Sequence, residues 1–218
     1  MGCTYQGIPK YLHYNEDRKV YKAKEFKFYQ LLYRTGFKER ENPIEFPRSL
    51  TALSVCWSKL INPKDVLHTV VSQGDPSKLG NHVFFGKIRQ IRKIKVKHEC
   101  NIIENCNGTH LLEPYIEHTP LDCNYSHSEI MIRHIYTKNG VLVKEVITKK
   151  DFEDRKCLLR KKQYKEFFEP LILEYKSKMA TALNSDISDL DKPFLTRFLP
   201  KNLILSLSLW RAIHIRNR

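Results

Sequence analysis

The sequence predicts an α+β fold, with N-terminal helices, a central antiparallel-rich β-sheet containing an Asn-Gly hairpin, and a C-terminal helical segment. Three observations point there. Apolar residues recur at helical spacing across residues 20–71, the period shortens to two between about 80 and 148, and it lengthens again from Asp151. With 41% hydrophobic and 11% aromatic residues in 218 positions, the chain can bury a core. That excludes an apolar-poor disordered polymer.

Within residues 20–35, Tyr21, Phe28 and Leu32 fall near helical spacing, and Gly36 supplies a stop signal. Leu50, Leu53, Trp57, Leu60 and Ile61 would share one face of a second helix over residues 48–60. Asn62-Pro63 then offers an N-cap and an N1 proline for a short helix reaching about Val71. Val83-Phe84-Phe85 and residues 94–97 read as strands, the second with one basic face. The strongest local signal is a hairpin. Residues 129–137 and 141–148 are rich in β-branched side chains and flank Asn139-Gly140, the preferred pair for a type I′ turn. Ile130, Ile132, His134 and Tyr136 share one face of the first strand, while Glu129, Met131, Arg133 and Ile135 share the other. Apolar groups on both faces predict an interior strand. Tyr164, Phe167, Phe168, Leu171, Ile172 and Tyr175 form a helical stripe that Pro170 must kink or divide. The domain boundary follows from composition. Residues 1–185 read as one α+β domain (helical 1–75, sheet-rich 80–148, helical 151–183), and residues 186–218 as a basic and apolar tail.

Charge is the feature that speaks to function. The chain carries 38 Lys and Arg against 24 Asp and Glu, a net +14 with pI near 9.5. Six of the basic residues fall within residues 87–97 (Lys87, Arg89, Arg92, Lys93, Lys95, Lys97), with His98 adjacent and Ile88, Ile91 and Ile94 as anchors to the core. A second cluster holds Arg155, Lys156, Arg160, Lys161, Lys162 and Lys165. Such groups neutralise phosphates, so RNA or DNA is the expected partner. Tyr5, Tyr11, Tyr14, Tyr21 and Tyr33 offer stacking faces. A membrane-surface or protein-interaction module using the C-terminal segment, with the basic amphipathic stretch at 203–218 meeting an anionic membrane, is the alternative.

Between Glu99 and Ile132 there is no Lys or Arg, while Glu99, Glu104, Glu113, Glu117, Asp122 and Glu129 accompany three histidines and three cysteines. A basic framework around an acidic, histidine-bearing island suits phosphodiester chemistry. The framework attracts the polyanion and the island supplies acid, base and anion stabiliser. The candidate catalytic set is His118, Asp122, His127, Glu129 and Arg133, with His127, Glu129 and Arg133 on one face of an extended strand. A small nuclease-like enzyme of toxin or defence-effector type is one reading, and a non-catalytic nucleic-acid binder is the other. Cys100, Cys106, His110 and Cys123 have the chemistry for zinc or another divalent metal, although the first spacing exceeds the usual knuckle. His127-Ser128-Glu129 resembles the H-x-E of zinc deaminases, but no P-C-x-x-C follows. Neither phosphate-loop glycine pattern nor G-x-S-x-G is present. No apolar leader follows Met1, and no apolar run reaches the roughly 20 residues of a membrane span. An intracellular, cytoplasmic chain with reduced thiols is therefore expected.

Overall fold

The computed structural model describes residues 18–44, 46, 52–71, 80–100, 108–148 and 161–188, leaving aside the side chains of 68, 70, 71, 100 and 161–168. Residues Met1–Ser185 form one compact unit and Asp186–Arg218 a second. The first is built on a curled antiparallel sheet. Among the described residues its longer strands are β1 (Leu31–Gly36), β2 (Ala52–Trp57), β3 (His82–Lys87), β4 (Val96–Cys100), β5 (Gly108–His118), β6 (His127–Lys138) and β7 (Val141–Ile147). Three helices accompany them: α1 (Val66–Val71), α2 (Ile88–Arg92) and α3 (Lys161–Leu183). Strand order is β4-β5-β6-β2-β1-β3, and β7 pairs with β6 beyond the end of β2.

Local chemistry explains the elements. β6 and β7 join through Asn139 and Gly140, both at positive φ (51° and 77°), the twist a two-residue hairpin needs. β5 alternates strictly, with His110, Leu112, Pro114, Ile116 and His118 buried and the residues between them half-buried. In α3, Leu171, Tyr175, Met179 and Leu183 recur every four residues and are buried. Their stripe joins Leu32, Leu53, Trp57, Ile88, Ile91 and Ile132 in one core. Pro170 lies inside this helix, which runs unbroken through it. Gly86 lets the helix end close on β3, since a Cβ there would stand 2.7 Å from the Ala182 carbonyl oxygen.

Two expectations need correction. Residues 31–36 and 52–57 are strands, not parts of helices over 20–35 and 48–60. The cause is burial from both sides. Leu32 and Trp57 face the core, whereas their neighbours Tyr33 and Cys56 pair across the opposite face. That face is covered where Thr69 of α1 approaches the Cys56 sulfur at 3.7 Å. Strands buried on both faces lose the alternation that betrays them, and chance spacing then reads as a helix. The Asn62-Pro63 start yields a 3₁₀ turn (Pro63–Asp65) leading into α1, without a side-chain cap from Asn62.

Candidate nucleic-acid interface

The basic run at residues 87–97 is divided between the last residue of β3, α2, a connecting turn and the edge strand β4. Ile88 and Ile91 are fully buried and Ile94 nearly so. Each such burial is worth about 1.5–3 kcal/mol, enough to fix which way the intervening residues face. Arg89, Arg92, Lys93, Lys95 and Lys97 are exposed. Arg92 is tied down, its Nη2 donating to the Ala23 carbonyl at 3.0 Å, and partial desolvation lowers its pKa. Lys178 of α3 reaches the Lys95 carbonyl at 3.4 Å and is itself paired with Glu174, so that pair adds no net charge beside the strip. Residues 87–98 contain no carboxylate. Arg89, Lys93, Lys95 and Lys97 have no ion-pair partner among the described residues. Arg160 lies outside the described residues, as do the side chains of Lys161, Lys162 and Lys165.

Beside α2 stands a tight turn over residues 27–30. The Gln30 amide nitrogen donates to the Lys27 carbonyl at 3.1 Å, and the Gln30 side-chain oxygen accepts from the Lys27 N–H at 2.7 Å. That same oxygen accepts from the Trp57 indole N–H at 3.0 Å, anchoring the turn to the core. At the other side, Ile88 and Arg89 N–H donate to the Gln30 and Phe28 carbonyls, so the turn also satisfies the first donors of α2. Phe28 and Tyr29 occupy the tip. They are 60% and 52% exposed and contact each other edge to face, 5.5 Å between ring centres. No known protein family, no curated protein and no solved structure matches this chain.

The five residues read as catalytic are placed as follows. His118 is on the core face, 2% exposed, with both ring nitrogens engaged. Its Nε2–H donates to the Tyr125 carbonyl at 2.7 Å and its Nδ1 accepts from the Tyr21 N–H at 3.1 Å. Desolvation lowers its pKa, and it packs against the rings of Tyr21, Trp57 and Tyr125. His127 starts β6 on the opposite face, opposite Cys56, with Nδ1 donating to the Thr119 carbonyl at 2.6 Å. Glu129 stands between Ser54 and Glu117 on the flanking strands, a like-charge pairing across β5 and β6. Arg133 forms an ion pair with Glu113 and lies over the Tyr115 ring. Asp122 is exposed in the turn before β6. His127, Glu129 and Arg133 do share a face, but the last lies six strand steps from the first, about 20 Å away. They do not converge on one phosphate, and His118 faces the other way.

Of the cysteine and histidine candidates, only His110 and Cys123 have described side chains. Cys123 is disulfide-bonded, which removes its thiolate as a metal ligand and corrects the expectation of reduced thiols throughout. His110 Nδ1 shares a hydrogen bond with His134 Nε2 at 2.9 Å, and the two rings stack with Tyr136. Cys106 and the Cys100 side chain lie outside the described residues. Among the described residues no cluster of three His, Cys, Asp or Glu is placed to hold a metal. No described helix is long and apolar enough to cross a membrane, and the 203–218 stretch lies outside the described residues.

Of the tyrosines read as stacking faces, Tyr33 is buried, Tyr21 is packed on Trp57, and Tyr5, Tyr11 and Tyr14 lie outside the described residues. Sequence reasoning missed Phe28 and Tyr29 because a helix assigned there puts Phe28 on its buried side. The available signal was two adjacent aromatics inside a lysine-rich stretch, followed by a glutamine able to close a turn.

Proposed function

We propose that this chain binds nucleic acid through the α2–β4 strip and does so without cleaving it. The observation that carries the reading is the set of four exposed cations (Arg89, Lys93, Lys95, Lys97) held by buried isoleucines and lacking carboxylate partners among the described residues. Surface cations kept for stability or solubility are normally interspersed with acids, and unbalanced ones repel each other unless a polyanion neutralises them. Binding is favoured over a nuclease because the acid–base candidates are spread over both faces of the sheet.

Fluorescence anisotropy with a labelled oligonucleotide tests this. If each of the four cations meets one phosphate, the logarithm of affinity should fall with the logarithm of salt with a slope of about −3 to −4. Replacing Arg89 and Lys93 by glutamine should flatten that slope by roughly 1.5–2 and weaken binding for every sequence. Absence of binding at low salt refutes the proposal. Turnover of RNA or DNA by the wild-type protein restores the nuclease reading.

A further inference from the structure

We infer, resting on the nucleic-acid reading above, that the polymer is taken up single-stranded, with an unpaired base stacked on the Phe28–Tyr29 turn while its backbone follows Arg89 and Lys93. The two central positions of a tight turn ordinarily carry Gly, Pro, Asn, Asp or Ser, each for a conformational reason. Here they carry two large aromatics, both more than half exposed. Exposure forgoes the roughly 1.5–3 kcal/mol that burying such a side chain would contribute, so folding does not explain their presence at the tip.

The turn is built to hold them still. Its own closing bond, two bonds to the Gln30 side-chain oxygen and two from the first N–H groups of α2 fix the backbone on which both rings sit. A platform ordered in advance loses little conformational freedom when a ligand arrives. Its edge-to-face pair leaves ring surface open to solvent, and an aromatic face is what an unstacked base seeks. Bases inside a duplex are already stacked and cannot reach it.

Charge continuity selects the occupant. The turn is hydrogen-bonded directly to the Arg89 backbone N–H, and Lys93, the residue that caps the end of α2, follows four positions on. Lys27 precedes the aromatic pair in sequence. The only carboxylate in residues 18–30, Glu25, is already engaged by the Lys22 N–H and the Lys19 ammonium. An aromatic platform bordered by unneutralised cations fits a base with its attached phosphates. An apolar peptide would use the rings and leave the cations unmatched.

The test compares a single-stranded oligonucleotide with a duplex of the same sequence, using wild type, Phe28→Ala, Tyr29→Ala and Tyr29→Trp on the full chain. Stacking is worth about 1–3 kcal/mol per base, so the alanine variants should lose roughly 5- to 150-fold in single-strand affinity. Duplex affinity should hold within about twofold, and Tyr29→Trp should retain single-strand binding. Both side chains are exposed, so melting temperatures serve as a folding control and should stay near wild type. A 2-aminopurine base in the single strand should be quenched by wild type and released by Tyr29→Ala. Equal binding of single strand and duplex, insensitive to either alanine variant, overturns this inference and leaves the basic-strip reading standing. No binding of either at low salt overturns both. Tyr29-dependent binding to anionic phospholipid vesicles without oligonucleotide binding reassigns the surface to a membrane.

Discussion

Replacing His118 by phenylalanine separates a structural histidine from a catalytic one. The ring and its packing against Tyr21, Trp57 and Tyr125 survive the change, but both hydrogen bonds go. The Tyr21 N–H and the Tyr125 carbonyl lose their partner, at about 1–3 kcal/mol for each group left unsatisfied. The sum, about 2–6 kcal/mol, corresponds to a fall in melting temperature of roughly 5–20 °C for a domain this size. The pH dependence has a definite sign. Desolvation holds the folded His118 pKa below its ordinary value, so the folded state keeps the ring neutral while the unfolded chain binds a proton near its usual pKa of about 6.5. Wild-type stability from this group is fully present above that value and is lost as pH falls through it. The phenylalanine variant has no proton to bind in either state. Its deficit should therefore be largest at pH 8 and shrink towards pH 5. Urea unfolding followed by tryptophan fluorescence at three pH values measures both quantities. A variant as stable as wild type at pH 8, or a deficit that grows as pH falls, refutes the argument.

Ile91 is fully buried beneath α2, and Ile91→Ala should cost about 2–5 kcal/mol in urea denaturation, with nucleic-acid binding weakened in parallel. At Gly140 a Cβ would meet no atom within 4 Å, so Gly140→Ala should cost only the backbone term of a left-handed residue, about 1–2 kcal/mol, read from the shift in denaturation midpoint. Glu113→Gln breaks a partly exposed ion pair with Arg133 and should change stability by less than about 1 kcal/mol. Alkylation followed by mass spectrometry should find Cys56 protected until unfolding and Cys123 protected until reduction.

The parts of the fold legible in the sequence are those where one local rule dominates. β6 alternates because one face is buried and the other half-open, and the C-terminal stripe repeats every four residues because one side of α3 meets the core; β5 alternates as strictly, yet its residues stood out only as part of an acidic island. β1 and the end of β2 were illegible for the opposite reason: Tyr33 and Cys56 are buried on the second face as Leu32 and Trp57 are on the first, so consecutive residues are buried where the two strands pair. The basic strip was visible as composition, and its three isoleucine anchors as spacing. The aromatic tip was not, because what exposes Phe28 and Tyr29 is a long-range bond between Gln30 and Trp57, and a single sequence does not display that pairing. The catalytic set failed to converge because sharing a strand face fixes direction but not distance.

The placement of β6 has a consequence for synthesis on the ribosome. β2 borders β6, yet 69 residues lie between the end of one and the start of the other. At about 5–20 residues per second, β2 waits roughly 4–16 s after emergence before all of β6 has been made. Throughout that interval one edge of β2 presents unpaired N–H and C=O groups beside Val55 and Trp57, an open template for another nascent chain. The β5–β6–β7 meander, continuous in sequence from 108 to 147, can form as soon as it emerges, and its completion closes the exposed edge. A cell making this protein therefore has to shield its N-terminal third for seconds, and a chain truncated before residue 127 never acquires the strand that ends the exposure.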